Sequence, residues 1–338
     1  MKAARVHEPG KIVVEDVPIP QLGEKEVLIK IHRVGLCGTD AGVLHGYVPS
    51  KLPVTLGHEF SGTIVQLGTP GLKGLKEGDP VSAVGGWSCG ECEFCLRALP
   101  QHCKARNALG RTQDGCIAEY LRMNVRAVYR LPSNVSFDEG QNFLNIANVV
   151  RAYKKVPLQI GKQVVVFGAG NVGLLLLQVL KAAGAYQVLV VDAINFRLEL
   201  AKKMGASHVV NVLQGDPVQK ILEIFPKGVD VAYEATGNTA AFQSACSVIK
   251  EMGTLVSMGM FSKKAKELDL SFLYKKEAIV YGSTGGEEGY QEALRLLEEK
   301  KLNITSMITH RFPIEETAKA FQTFDEKDEK TLRILIDF

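Results

Sequence analysis

Three kinds of metal donor lie close together in GLCGTDAGVLHGYVPSKLPVTLGHEF, residues Gly35–Phe60: the thiol of Cys37, the imidazole of His58 and the carboxylate of Glu59. Zinc accepts all three, and three protein donors with one position left open is the arrangement of a catalytic site. Each residue also has a plainer use, since a lone cysteine packs as a small hydrophobe and a His-Glu pair is ordinary at a strand end. A second group is tighter. Cys89, Cys92, Cys95 and Cys103 stand at C-x2-C-x2-C-x7-C spacing in CGECEFCLRALPQHC, which suits a tetrahedral all-thiolate zinc site, closed and contributing folding energy. An iron–sulfur cluster is the rival reading, but the last cysteine of such runs is usually followed by proline, and here Lys104 follows. Unmetallated thiols are the third.

A phosphate-binding signature comes later in the chain. The apolar run Gln163–Phe167 leads into Gly168-Ala169-Gly170-Asn171-Val172-Gly173, a helix is predicted over Leu174–Ala183, and a second strand Gln187–Val191 ends at Asp192. Strand, G-x-G-x-x-G, helix and strand together form the dinucleotide-binding fingerprint in its required context. Gly168 makes the tight turn, Gly170 lets the backbone approach a pyrophosphate at the helix N-terminus, and Gly173 permits close helix–strand packing. Asp192 falls 19 residues after Gly173, where a carboxylate accepts from ribose hydroxyls and repels a 2′-phosphate. NAD is therefore expected rather than NADP. Asn171, Val172 and Arg197 complete the candidate cofactor-binding set.

The elements that must hold these residues follow from texture. Short apolar runs (Ala3–Val6, Lys11–Val14, Val27–Val34, Gly62–Leu67, Pro80–Val84, Cys116–Leu121, Val125–Leu131) alternate with Gly- and Pro-rich turns, the pattern of a β-barrel-like unit. The metal candidates then sit on loops of a rigid β scaffold. Phe137–Lys155 reads as helix, and after the glycine loop helices and strands alternate as far as Glu277–Gly282, which predicts a doubly wound parallel sheet. Glycines Gly237, Gly259 and Gly282 follow three of its strands, at the ends where such sheets bind ligands. Tyr290–Lys300 reads as an amphipathic helix, and the tail Ile304–Ile336 returns to the texture of the first domain.

The chain has 338 residues, 46% hydrophobic and 23% charged, and a net charge of +3, values that fit two folded domains. No Lys/Arg-rich run suggests a nucleic-acid surface. Charges begin at the second residue and no segment approaches the ~18 uninterrupted apolar residues of a membrane span, so a cytoplasmic protein is expected. Its seven cysteines are then better candidates for metal or catalysis than for disulfides.

With GLCGTD (Gly35–Asp40), LGHEFSGTI (Leu56–Ile64), GDPV (Gly78–Val81), CGECEFC (Cys89–Cys95), AEYLRM (Ala118–Met123), the glycine loop, VDVAYEATG (Val229–Gly237) and ITHRFPIEE (Ile308–Glu316) in order, the chain resembles the zinc-dependent medium-chain dehydrogenases. These are the alcohol, sorbitol and threonine dehydrogenase group. The resemblance implies a GroES-like catalytic domain from both chain ends (1–145 and 291–338) with a structural zinc lobe near 86–105, and a Rossmann domain (146–290) between them. It implies two zinc ions per chain, NAD, a small-molecule alcohol or ketone substrate, and a homo-oligomer, dimer or tetramer. Cys37 and His58 match the catalytic zinc ligands, and Glu59 the carboxylate that is a direct ligand in polyol-type members. Asp40 matches the residue that fixes the tautomer of His58, and Thr39 the hydroxyl that touches the substrate oxygen. Two departures stand out. Relatives place a further zinc ligand where this chain has Leu144, with only Asn145 and Ala147 nearby, and a proton-relay histidine where it has Gly42; His45 is the nearest substitute.

The function expected is hydride transfer between a secondary alcohol of polyol, sugar or amino-alcohol type and NAD, giving the ketone. One alternative is a zinc-free, NADPH-linked quinone or enone reductase of the same superfamily, against which the four cysteines, GHE and Asp192 argue. The other is a zinc- and NAD-binding module without turnover, which Leu144 and Gly42 motivate.

Overall fold

Strand Glu26–Gly35 is the piece on which the first unit is assembled, because its ten residues are long enough to serve three partners. Along one edge it pairs antiparallel with Phe60–Leu67. Along the other, Glu26–Lys30 pair with Tyr120–Asn124 and Arg33–Gly35 with Leu335–Asp337. Register shifts at Leu28/Ile29 and Ile31/Arg33 bend it between those partners. A computed structural model describes residues 1–261, 267–286, 288–326 and 328–338. They divide into two units: Met1–Asn145 with Tyr290–Lys300 and Ile304–Phe338, and Ile146–Gly289 with Lys301–Asn303.

In the first unit the larger sheet runs Val128–Arg130, Pro80–Ala83, Phe60–Leu67, Glu26–Gly35, Arg333–Asp337, Ile308–Pro313, and a smaller one Lys11–Asp16, Lys2–Glu8, Val54–Thr55. Alternate residues Val27, Ile29 and Ile31 are wholly buried, and strand Arg333–Asp337 is covered on both faces, with Leu335 and Ile336 also wholly buried, so burial of apolar side chains holds the sheet together. The expected strand Cys116–Leu121 is displaced. Cys116 and Ile117 instead donate to the carbonyls of Gly57 and Leu56, while Ile117 accepts from Ala4, and the strand begins at Tyr120. Val125–Ala127 is a 3-10 turn whose first residue follows an Asn124 cap. The expected helix Phe137–Lys155 is two, Phe137–Gly140 and Phe143–Lys155, broken where Gln141 and Asn142 turn their amides inward.

The second unit holds one parallel sheet in the order His208–Asn211, Gln187–Asp192, Gln163–Phe167, Val229–Glu234, Ile249–Ser257, Ile279–Gly282. Numbered along the chain that is 3-2-1-4-5-6, whose order reverses between Gln163–Phe167 and Val229–Glu234, the crevice where such sheets bind dinucleotides. The central strands are apolar on both faces because both are covered: Val165, Leu189, Val229, Ala232 and Leu255 are buried in one core with Phe225 and Ile249. Helix ends are specified locally. Asp216 caps Pro217–Ile224 with proline at its first position, and Lys276 closes Thr239–Val248 by donating to the carbonyls of Ser247 (2.8 Å) and Ile249 (2.6 Å). Among the described residues no helix is long and apolar enough to cross a membrane.

Candidate active site

Cys37 leaves the end of strand Glu26–Gly35 and caps helix Gly38–Leu44, so its thiol is held where strand becomes helix. In the first turn, Asp40 is 1% exposed and ties three elements together. Its Oδ2 accepts from the Cys37 amide (3.1 Å), and its Oδ1 from the Gly57 amide (3.2 Å) and His58 Nδ1 (2.9 Å). That bond places a proton on Nδ1 and turns Nε2 towards Glu59, whose Oε1 lies 3.7 Å away. The ligand atoms of Cys37, His58 and Glu59 all lie within 4.8 Å of one another. Thiol, imidazole and carboxylate converging in a partly buried cup is a donor set that fits zinc. Burial pulls the His58 ring towards neutrality, but Asp40 and Cys37 outweigh it and raise its pKa well above the usual value. The Cys37 thiol is pushed up, first by burial and then by Glu59, so a metal entering this cup must displace protons.

The other predicted residues fall unevenly around this cup. Thr39 Oγ1 is 3.8 Å from Cys37 Sγ. His45 ends the same helix, half-exposed, and its Nε2 meets Asp325 Oδ2 at 2.8 Å. Leu144 and His58 both border the space over Gly85: a Cβ built there would be 3.2 Å from Leu144 Cδ2 and 3.5 Å from His58 Cδ2. Asn145 turns its amide to Asn142 (3.3 Å). Two residues of the site escaped the sequence reading. Arg333, 2% exposed like Glu59, brings Nη1 to 2.6 Å from Glu59 Oε2, and Gln141 holds the same guanidinium through Nε at 3.1 Å. The signal was a charged residue at an inward position of the apolar strand RILID.

The four cysteines form a separate cluster. Sulfur–sulfur distances are 3.5 Å (Cys92–Cys95), 3.6 Å (Cys89–Cys103) and 3.8 Å (Cys89–Cys95). A metal tetrahedron with Zn–S bonds of ~2.3 Å has edges of roughly 3.8 Å, whereas a disulfide needs ~2.05 Å. The amides of Cys92 and Cys89 point at the sulfurs of Cys89 (3.4 Å) and Cys103 (3.5 Å), as thiolates require. Residues Cys89–Cys103 therefore fit zinc as they stand.

In the second unit, Gly168 ends strand Gln163–Phe167 at φ +103° and Gly170 caps helix Asn171–Ala182. Open space lies over Gly170, whereas a Cβ on Gly173 would fall 1.8 Å from Gly168 O. The loop is thus closed on its own backbone and open outward, a cradle fit for a pyrophosphate. Asp192 accepts from the Ala169 amide through Oδ2 (2.6 Å) and from Ile194 through Oδ1 (2.9 Å), so it braces the glycine loop and keeps one lone pair per oxygen for a ribose. Arg197 is half-buried on helix Asn195–Lys203. A further residue missed in sequence, Glu234, is fully buried and ties down the next loop by accepting from the amides of Thr236 (2.6 Å) and Gly237 (2.9 Å).

Comparison with known proteins bears on the fold and the family. Residues 23–133 match the family model described as alcohol dehydrogenase GroES-like domain, and residues 171–299 that described as zinc-binding dehydrogenase. The chain is 32% identical to sorbitol dehydrogenase of Bacillus subtilis (strain 168), covering 99% of this chain and 97% of that one. It is 31% identical to D-arabitol-phosphate dehydrogenase of Enterococcus avium, covering 100% and 97%. The crystal structure of galactitol-1-phosphate dehydrogenase from Escherichia coli superposes with TM-score 0.93 at 27% identity over the whole of both chains. With a GroES-like β unit, a Rossmann sheet and this extent of identity, the chain belongs to the zinc-dependent medium-chain dehydrogenase family.

Proposed function

We propose that this protein is a zinc-dependent, NAD-linked dehydrogenase of secondary alcohols of the polyol type, converting the carbinol to a ketone. The observation that carries this reading is the convergence of half-buried Cys37 and His58 on buried Glu59, with His58 fixed by Asp40. Cys37, His58 and Glu59 would hold the catalytic zinc, and Cys89, Cys92, Cys95 and Cys103 the structural one. When bound, the catalytic zinc supplies Lewis acidity towards a hydroxyl or carbonyl oxygen, and NAD⁺ the hydride acceptor. Thr39, whose Oγ1 lies 3.8 Å from Cys37 Sγ, would accept the proton of the substrate hydroxyl while passing its own to the ribose hydroxyls, with His45, paired with Asp325, as the candidate outer acceptor. Gly168, Gly170, Asn171, Val172 and Gly173 bind the pyrophosphate, with Asp192 and Arg197 on the adenosine side.

Relatives named for sorbitol, D-arabitol phosphate and galactitol 1-phosphate set the substrate panel. The two names that specify a phosphate ester put phosphorylated polyols on that panel beside the free ones. Metal analysis of the purified protein followed by NAD⁺ reduction with free and phosphorylated polyols tests the proposal. About two zinc ions per chain with turnover supports it. Metal-free, NADPH-dependent quinone reduction, or zinc and NAD binding without turnover on any polyol, would replace it by one of the two alternatives.

We place the protein in the reducing cytoplasm, where its seven free cysteines are stable, and as a homo-oligomer. Strand Ile279–Gly282 pairs with Ile249–Ser257 and ends the parallel sheet, yet Ile279, Val280 and Tyr281 are 47%, 39% and 38% exposed. An open apolar edge is what a soluble chain covers, and a second copy of the same strand is its natural complement. Val280→Lys is expected to shift sedimentation from dimer or larger to monomer. A wild-type protein that sediments as a monomer rules the oligomer out.

A further inference from the structure

We propose that a cavity beside the N-terminal strands of the first unit binds a compact organic anion, a carboxylate or a phosphate ester, at a site apart from the metal cup. The inference stands independently of the zinc and NAD reading, because neither the three donors of the cup nor the glycine loop lines this cavity. Its volume is about 250 Å³. Pockets for drug-sized ligands run from ~300 to 1,000 Å³, so a small metabolite fits and a dinucleotide does not. Arg5 of strand Lys2–Glu8, its cross-strand partner Thr55, and Arg122 of strand Tyr120–Asn124 contribute to the wall. Val17, Pro18 and Leu121 make part of it apolar. Its charged side chains are Arg5, Arg122 and Asp114, two positive against one negative.

Both guanidinium groups are poorly served by the protein. That of Arg5 has five N–H donors on a side chain only 20% exposed. Among the described residues they meet one acceptor, Pro53 O, at 3.5 Å from Nη2, and the buried Nε meets none. The carboxylates nearby are further off or committed elsewhere. Glu15 Oε1 is 3.5 Å from Nη1, but both Glu15 oxygens meet His7 Nε2, at 3.1 and 3.2 Å. Asp114 Oδ1 is 3.9 Å from Nη2 and accepts from the Thr55 amide at 2.8 Å. Arg122 repeats the pattern. Its Nη1 reaches Gln21 O at 3.3 Å, and its Nε lies 3.7 Å from Glu26 Oε2, which accepts from the Gly23 amide at 2.8 Å. Burying a donor without a partner is costly, and a planar guanidinium matches the paired oxygens of a carboxylate or phosphate. An anionic head supplies the acceptors that Arg5 lacks, and the apolar wall suits a short hydrocarbon body.

Calorimetric titration of the full chain with inorganic phosphate and with succinate, at an ionic strength held constant with chloride, tests the site. Saturating NADH is present so that a phosphate probe does not report the glycine loop. Wild type is expected to bind at least one probe with a Kd of about 1 mM or tighter. Binding of phosphate alone assigns a phosphate ester, binding of succinate alone a carboxylate, and binding of both an anion read by its charge and paired oxygens; each supports the inference. Arg5→Gln is expected to weaken that binding at least tenfold and Arg122→Gln at least threefold, while zinc content and NADH affinity stay at wild-type values. Should Arg5→Gln not fold, Arg122→Gln, at a half-exposed position, decides. Binding of neither probe by wild type, or undiminished binding in the deciding variant, overturns the inference and leaves Arg5 a structural residue between strands. Because the two variants alter only this cavity, the outcome is the same whether or not the zinc and NAD reading holds.

Discussion

Cys37→Ala is expected to lower kcat/KM for any alcohol substrate by at least ~10³-fold, because Lewis-acid stabilisation is worth several kcal/mol and each ~1.4 kcal/mol is a factor of ten. Among the described residues the substitution leaves His58 and Glu59 as the donors of the cup, and the leucine at position 144 offers no replacement for the third. It should remove one zinc ion per chain while the lobe of Cys89, Cys92, Cys95 and Cys103 keeps the other. NAD affinity should stay within about twofold, since Gly168–Gly173 and Asp192 belong to the other unit. A fluorescence titration with NADH and metal analysis of the variant check both points. Turnover equal to wild type would remove Cys37, and with it the proposed cup, from the reaction.

Legibility followed range along the chain. The four cysteines span 89 to 103 and the glycine loop 168 to 173, so spacing alone brings each set together. The parallel strands were legible because residues such as Val164–Val166 and Val188–Val190 are buried on both faces, which writes them as unbroken apolar runs. What stayed hidden depends on distant partners. Cys116 and Ile117 look like strand, but their amides serve Gly57 and Leu56. Phe137–Lys155 reads as one helix and breaks where Gln141 reaches Arg333, 192 residues away. Arg333 itself sits in an apolar strand with nothing local to explain it. Local pattern and tertiary demand part company where a site is being built, and the break at Gln141 and the buried charge of Arg333 are two ends of one such demand. Glu234 is a milder case, a carboxylate at the end of an apolar strand whose partners Thr236 and Gly237 are close in sequence but recognisable only once the loop is folded.

The second large effect lies in the other unit. Gly173→Ala is expected to weaken NAD⁺ binding at least ~100-fold while leaving two zinc ions per chain. The added Cβ would lie 1.8 Å from Gly168 O and 2.8 Å from Gly168 C, where ordinary carbon–oxygen contact needs well over 3 Å, roughly the separation of a van der Waals pair. Either the helix Asn171–Ala182 or the turn at Gly168 must retreat by more than about 1 Å, a displacement that in a positioned site costs on the order of 10²-fold. The helix is poorly placed to yield: Leu174, Leu175, Leu176, Leu177 and Leu180 are wholly buried, and moving them opens voids in a close-packed core. The turn therefore gives way, and it carries Ala169, whose amide donates to Asp192 at 2.6 Å. Pyrophosphate cradle and ribose carboxylate would be disturbed by one methyl group, and the melting temperature should fall with them. Calorimetric titration with NAD⁺ reads the first effect and thermal unfolding the second. A variant that binds NAD⁺ with wild-type affinity would mean that the dinucleotide does not lie on this loop. Because Cys37→Ala strikes zinc and spares NAD whereas Gly173→Ala does the reverse, the pair separates the two halves of the proposed chemistry. Hydride transfer should be lost in both, each time for want of a different ligand.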